Sequence, residues 1–257
     1  LLLVQEALEL HPDSGPAYAL KGWLLLRGGA PDDALLFLEQ ARLSDVPHEG
    51  YYWLGRFLVA VEQNKPALAE KALEKGASLL SGKPFAQLMA ARYKWQKANL
   101  EEAIQYYRKA LRAGAGGAEV YMNLGMALDA SGQSEEALRA FQRAFETDPA
   151  DGGIARHLSS MLAAKGNYDG ALKVLKRAAT NRPDQPRRLV VYGDAALRMW
   201  RLEKAESAYR RVLKRDPSLT PAVRGLARTL NRRDRCGEAA KRLRAFIDSN
   251  PERLAAK

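Results

Sequence analysis

Cysteine is almost missing from this chain. Cys236 is the only one in 257 residues, which excludes a disulfide scaffold and a cysteine-built zinc site. Histidine is nearly as scarce: His11, His48 and His157 stand singly, so we expect no metal and no cofactor. Long apolar runs are lacking too. Stretches such as Trp23-Leu24-Leu25-Leu26 stop far short of the roughly 20 residues a membrane-spanning helix requires. Leu1-Leu2-Leu3-Val4 has neither a basic segment before it nor a small-residue cleavage site after it, so it does not read as a signal peptide. No stretch alternates as a half-buried strand would, and every element reads as helix.

The motifs of catalysis are also missing. Gly76 to Lys83 fails as a phosphate loop because five residues separate Gly76 from Gly82 and Pro84 stands where Ser or Thr is required. Gly114-Ala115-Gly116-Gly117 follows a helix instead of a strand and reads as a turn. No G-x-S-x-G, H-E-x-x-H or C-x-x-C occurs. Cys236 beside Arg235 and the lone His157 read as structural, and Glu101-Glu102 and Glu135-Glu136 suit helix starts. The expectation is a protein without catalytic residues.

What is abundant is basic charge at one end. The chain has 41 Lys+Arg against 30 Asp+Glu, a net charge of +11. Arg187 to Lys257 holds 19 basic and 8 acidic residues, whereas residues 1–186 hold 22 of each, so the surplus lies entirely in the last part. Such a field attracts anionic partners and weakens with salt.

A second abundance is periodic. Pro149, Pro183, Pro217 and Pro251 are each 34 residues apart, as are Ala103, Ala137, Ala171, Ala205 and Ala239. Four residues after each Ala stands Tyr107, Phe141, Leu175, Tyr209 or Leu243. Leu124-Gly125, Tyr192-Gly193, Leu158-Ser159 and Leu226-Ala227 recur upstream at one phase. Small residues at positions 8, 20 and 27 of each unit let two helices approach, large apolar ones at 4, 7, 11 and 24 fill the space, and Pro at 32 stops the second helix. Ser131-Gly132-Gln133 and Lys165-Gly166-Asn167 mark turns, while Ser134 with Glu135 and Glu136, and Asp32 with Asp33, suit second-helix starts.

This pattern resembles tetratricopeptide (TPR) repeats, best in Tyr121-Met122-Asn123-Leu124-Gly125, Leu128, Ala137, Phe141 and Pro149, and is similar to bacterial TPR scaffold proteins. The resemblance implies an all-α, right-handed α-solenoid of helix–turn–helix units. A single array over 1–257 is expected, with a partial repeat at 1–14 and repeats at 15–47, 48–83, 84–117, 118–151, 152–185, 186–219 and 220–253. The 48–83 unit is irregular, and its spacing from Gly55 to Ala69 predicts an inter-helix turn about two residues longer than the others. Val4, Ala7 and Pro12 fit the latter half of a repeat, and Leu243, Phe246 and Ile247 form an apolar face near the other end. A segment of a longer array, open to end-to-end self-association, is the expectation.

In such arrays positions 2, 5, 9 and 12 of the first helices face a concave groove. The resemblance therefore implies a partner-binding set of Trp23, Tyr52, Arg56, Phe85, Leu88, Arg92, Trp95, Met122, Met126, Asp129, Arg156, Arg187, Arg224, Arg228 and Asn231. Aromatics and Met give way to Arg along the chain, which suits a protein partner with an apolar end and an acidic segment. The family's carboxylate clamp for chaperone tails finds only Asn123 in place, and its asparagine ladder fails at Leu20, Trp53, Met89, His157, Val191 and Gly225. The expected function is a non-catalytic protein-interaction scaffold, by resemblance in bacterial envelope, secretion or exopolysaccharide assembly. One rival is binding of a polyanion, an acidic polysaccharide or nucleic acid, by Arg187, Arg188, Arg210, Arg211, Lys214, Arg215, Arg232, Arg233 and Arg235, with Trp200 as the one free aromatic. The other makes the array the regulatory arm of an enzyme elsewhere in a longer polypeptide. Compartment stays open between cytoplasm and periplasm.

Overall fold

The computed structural model describes residues 2–43 and 49–250. The expectations placed on Leu1, on His48 as a unit start and on Pro251 fall outside them. The described residues form 15 helices and no strand: α1 (Leu2–Leu10), α2 (Gly15–Arg27), α3 (Pro31–Leu43), α4 (Glu49–Glu62), α5 (Pro66–Leu79), α6 (Pro84–Gln96), α7 (Leu100–Arg112), α8 (Ala118–Ala130), α9 (Ser134–Thr147), α10 (Gly152–Ala164), α11 (Tyr168–Thr180), α12 (Pro186–Arg198), α13 (Leu202–Arg215), α14 (Thr220–Asn231) and α15 (Cys236–Asp248). They fall into two compact units, residues 1–116 with 126–131 and residues 117–125 with 132–257.

Each hairpin turns in the same way. A residue with positive φ stands shortly after the first helix, and in six of them the next residue donates its N–H to the carbonyl five positions back, as Asn99 does to Lys94 and Arg201 to Ala196 (2.9 and 2.8 Å). Gly132 and Gly166 meet this backbone demand without strain, whereas Ala98, Trp200 and Asp234 adopt it despite their side chains. Side chains cap several starts: Asp151 accepts from the N–H groups of Gly153 and Ile154, Asn99 from Glu102 and Asn167 from Gly170. Ser134 does not cap α9, because it is already the first helical residue. Glu135 and Glu136 do lie in that first turn.

In the first unit α2 pairs with α3, α4 with α5 and α6 with α7, and α4 also packs on α3 and α2. Leu38 of α3 is fully buried at their junction. A Cβ on Gly22 of its own hairpin would sit 2.5 Å from the Leu38 side chain, and one on Gly55 of the next hairpin would collide with it as well. The expected longer turn in the 48–83 unit is absent. Residues 63–65 separate α4 from α5 just as residues 97–99 separate α6 from α7. The extra length is helical, with α4 running from Gly55 to Glu62, two residues further than α12 runs past Gly193. Gln87, buried on α6, donates to the carbonyls of Ala77 (2.7 Å) and Leu80 (3.3 Å) and so satisfies the open end of α5.

In the second unit α10 pairs with α11, α12 with α13 and α14 with α15, and α14 packs on both α12 and α13. Tyr209 of α13 plays the part of Leu38: it is fully buried, with Gly193 of its own hairpin on one side and Gly225 of the next on the other. Its hydroxyl donates to Asp194 at 2.5 Å. Glu206, buried on the same helix, accepts from Arg210 (2.9 Å) and from Arg233 (2.9 Å) and Arg235 (3.0 Å) in the turn of the following hairpin. At α15 only Ala239 is buried and Leu243 and Ile247 are exposed.

A methyl group on Gly225 would lie 2.8 Å from the Tyr209 hydroxyl oxygen, whereas one on Gly237 would meet nothing. Gly225→Ala should therefore cost about 1–3 kcal/mol through overpacking. Gly237→Ala should be neutral or slightly stabilising. Urea denaturation followed by circular dichroism separates the two.

Candidate interaction surface

In the first unit the first helices bring aromatics together. Phe85 of α6 stands edge-on to Trp23 of α2 (centroids 5.5 Å apart) and stacks with Tyr51 of α4 (5.9 Å). All three are half-buried, so part of this set serves packing between helices. Tyr52 and Arg56 point elsewhere. The Tyr52 ring lies under the Arg42 guanidinium of α3 (5.4 Å) and hydrogen-bonds Glu39. The Glu39 carboxyl is held below its ordinary range, first by the Arg42 hydrogen bond and further by Arg56. The aromatic of α4 that stacks on Phe85 is Tyr51, which the spacing-based set omits. Trp95 is half-buried and Arg92 exposed on α6, and Met122 and Met126 are half-buried on α8.

In the second unit a crevice of about 260 Å³ lies between α10 and α12. Leu175 and Ala178 of α11 form its floor, and Arg156 and Arg188 are on its rim. Arg188 also donates to the Ala150 carbonyl. Arg187, Arg224 and Arg228 are exposed, and among the described residues no carboxylate lies within ion-pair distance of them. Asp194, which the spacing-based set omits, sits on α12 as the acceptor of the Tyr209 hydroxyl, and Arg198 and Arg228 lie within electrostatic reach of that hydroxyl. Asn231 is exposed and accepts from the Cys236 thiol (3.0 Å). His157 is exposed and stacks flat on Phe141 (5.2 Å).

The nine cations of the polyanion reading are largely engaged within the fold. Arg210, Arg233 and Arg235 pair with Glu206, and Arg210 and Arg235 also with Glu238. Arg215 donates to the Pro183 carbonyl (2.7 Å), and Arg232 donates to Leu197 (3.0 Å) and stacks on Trp200 (4.9 Å). With Arg188 held by Ala150, only Arg187, Arg211 and Lys214 remain without such a partner among the described residues. A backbone-neutralising stripe would need most of the nine.

One acidic cluster has metal-like spacing, Glu70, Glu74 and Glu102. Its centre is already held by a side chain. Lys94, with only 1% of its side chain exposed, places its ammonium 2.5 Å from Glu70, 3.2 Å from Glu74 and 2.5 Å from Glu102. Burial pulls the lysine's pKa down, but the hydrogen bonds to Glu102, Glu70 and Glu74 outweigh it and leave the pKa well above the ordinary value. Glu102 is held below the usual carboxylate range, chiefly by Lys94. Gly76, which begins the would-be phosphate loop, is a buried residue inside α5 packed against Leu54. Among the described residues no helix is long and apolar enough to cross a membrane.

Fifteen helices in recurring hairpins, with a small residue of the first helix against a bulky one of the second, define an all-α solenoid-type repeat protein. One tetratricopeptide repeat model matches residues 54–118, 88–144 and 122–186, and a second matches residues 162–230. Together they span more than half of the sequence, and the chain belongs to the tetratricopeptide repeat family. No curated protein matches it. Solved structures with a similar fold include pilF of Pseudomonas aeruginosa, 18% identical over 81% of this chain and 94% of that one (TM-score 0.56). The C-terminal part of a TPR repeat-containing protein from Cytophaga hutchinsonii is 15% identical over 87% and 92% (TM-score 0.64). YrrB, described as a TPR protein with an unusual peptide-binding site, is 21% identical over 86% and 96% (TM-score 0.50). At these identities the likeness is one of fold.

Lys94→Ala should destabilise the first unit by about 2–3 kcal/mol, less than for a fully buried pair, since Glu70 and Glu74 are 51% and 53% exposed. The pH dependence follows from the two shifts. Glu102 stabilises above the unfolded carboxyl's range and loses its contribution as pH falls through its lowered value. Lys94 contributes at all pH values below its ordinary 10.5 and loses it only as pH rises through its raised value. Thermal melts between about pH 3 and 7 should show a wild-type drop at the acid end that is smaller in Lys94→Met.

Proposed function

We propose that the chain is a non-catalytic scaffold whose first-helix faces bind a protein or peptide partner. An acidic segment of that partner lies along α10, α12 and α14 of the second unit. The observation that supports this reading is the pair Arg224 and Arg228, one turn apart on α14, both exposed and both without an ion-pair partner among the described residues. Arginine presents a planar donor fork that suits carboxylates and is a frequent centre of binding energy at interfaces. Arg156 and Arg188 on the rim of the α10–α12 crevice extend the same charge to the neighbouring first helix. The Trp23, Tyr51 and Phe85 cluster of the first unit offers an apolar contact for another part of the partner.

A peptide ligand is the class named for YrrB, which shares the fold. The setting we propose is the one the family resemblance implies, assembly of a bacterial envelope, secretion or exopolysaccharide complex. A partner captured by the intact chain and identified by mass spectrometry should bind the Arg224→Glu/Arg228→Glu double variant at least about tenfold more weakly, with helicity unchanged and with salt weakening the wild-type complex. Equal affinity for the two proteins refutes the assignment of the acidic segment to α14.

A further inference from the structure

One hairpin turn of the second unit departs from the others. Asn64, Ala98, Gly132, Gly166, Trp200 and Asp234 are each 34 residues apart, and all have the positive φ that this turn requires. Five of the six are small or short and polar, as that backbone state favours. Trp200 is the exception, with φ at 56°. Its side chain is 66% exposed, more than any other large apolar one among the described residues of the second unit. The turn closes without help from the indole, through the Arg201 N–H to the Ala196 carbonyl, as its counterparts do. Arg232 lies over the ring at 4.9 Å but is anchored by its own bond to the Leu197 carbonyl (3.0 Å). A strained, exposed tryptophan with so little packing in return points outward, to something the ring meets.

The surroundings suit an amphipathic ring at an interface. The preceding turn belongs to the same edge, because Asp169 of α11 bonds Lys204 (3.0 Å) and lies 3.8 Å from Arg201, the neighbour of Trp200. That turn leads into Tyr168, a second exposed aromatic with a polar tip. Charge along the edge is positive: residues 198–206 and 231–235 hold six cations against three carboxylates, buried Glu206 included. Several of these cations are paired within the fold, which counts against a ligand whose phosphates must each be touched. It does not count against a charged plane, which responds to the net field and leaves internal ion pairs in place.

We propose that this turn edge docks on an anionic phospholipid surface. The Trp200 indole and the Tyr168 ring enter the headgroup region, and Arg232, stacked on the indole, stays at the level of the lipid phosphates. The basic surplus from Arg187 onward draws the protein to the surface, and the rings hold it there, two weak signals that together give stable attachment. No helix enters the bilayer. The site takes no contact from Arg224 or Arg228 and does not depend on the first-helix reading above.

The test is co-sedimentation of the intact chain with vesicles of phosphatidylcholine, alone or with about one third phosphatidylglycerol, at low and high salt. We expect binding to the anionic vesicles only, weakened by salt, and tryptophan fluorescence quenched by brominated lipid in them. Trp200→Gly places in this turn the residue that Gly132 and Gly166 already supply, so it relieves backbone strain instead of creating it. It should lower vesicle binding about tenfold or more and remove the quenching, with helicity unchanged. Tyr168→Ser should lower binding less. Ile247→Ser, which removes an exposed apolar side chain of α15, should bind as the wild type does. The proposal is overturned if the intact chain does not pellet with anionic vesicles at low salt, or if Trp200→Gly binds them undiminished. It is likewise overturned if Ile247→Ser loses as much binding as Trp200→Gly, or if the chain binds an oligothymidine through Trp200 and not the vesicles.

Discussion

Neighbouring hairpins are held in register by one side chain of the second helix, buried where two first helices come close enough to touch it. Leu38 lies against Gly22 and Gly55, and Tyr209 against Gly193 and Gly225. A Cβ on any of these glycines would overlap the clamped side chain, so backbone approach and side-chain size are one constraint. The Phe141 hairpin meets it differently: Gly125 covers one face of the ring and the imidazole of His157, from the following hairpin, lies flat on the other. Because the clamp fixes how successive first helices lie side by side, it also decides which of their residues share a face. The Trp23–Tyr51–Phe85 contacts and the succession of arginines on α10, α12 and α14 follow from it.

Ionic groups divide into those that complete the fold and those that remain for a partner. Lys94 with its three carboxylates, and Glu206 with Arg210, Arg233 and Arg235, join helices of adjacent hairpins and have their hydrogen-bonding capacity met inside the protein. Net charge therefore overstates what the basic end offers to a ligand. The cations that remain among the described residues include Arg187, Arg224 and Arg228 on the first helices and Arg211 and Lys214 on the second.

Much of the architecture could be read from spacing alone, because a repeat shows each packing rule several times. The Ala stripe, the aromatic or leucine four residues later and the turn signals all carry a 34-residue period, and the helices of the described residues follow them. What was not legible depends on pairings across the repeat. The Gly55 to Ala69 spacing shows two extra residues but not whether they lengthen the turn or the helix, and in α4 they extend the helix. The face of α4 depends on how Gly50 and Gly55 meet Leu80 and Leu38, so Tyr51 and not Tyr52 joins the aromatic cluster. Lys94 and Glu206 resemble surface residues in sequence. Four of their partners, Glu70, Glu74, Arg233 and Arg235, lie 20 or more residues away, and only tertiary packing reveals their burial.

A double-mutant cycle between Gly225→Ala and Tyr209→Leu tests the clamp most directly. Leu38 shows that leucine can occupy this place, so shortening Tyr209 should relieve the overlap created at Gly225, with a favourable coupling of about 1 kcal/mol or more. Strictly additive effects of the two substitutions on unfolding free energy would contradict the account, because they would mean that the glycine and the tyrosine do not share a contact that holds the hairpins in register.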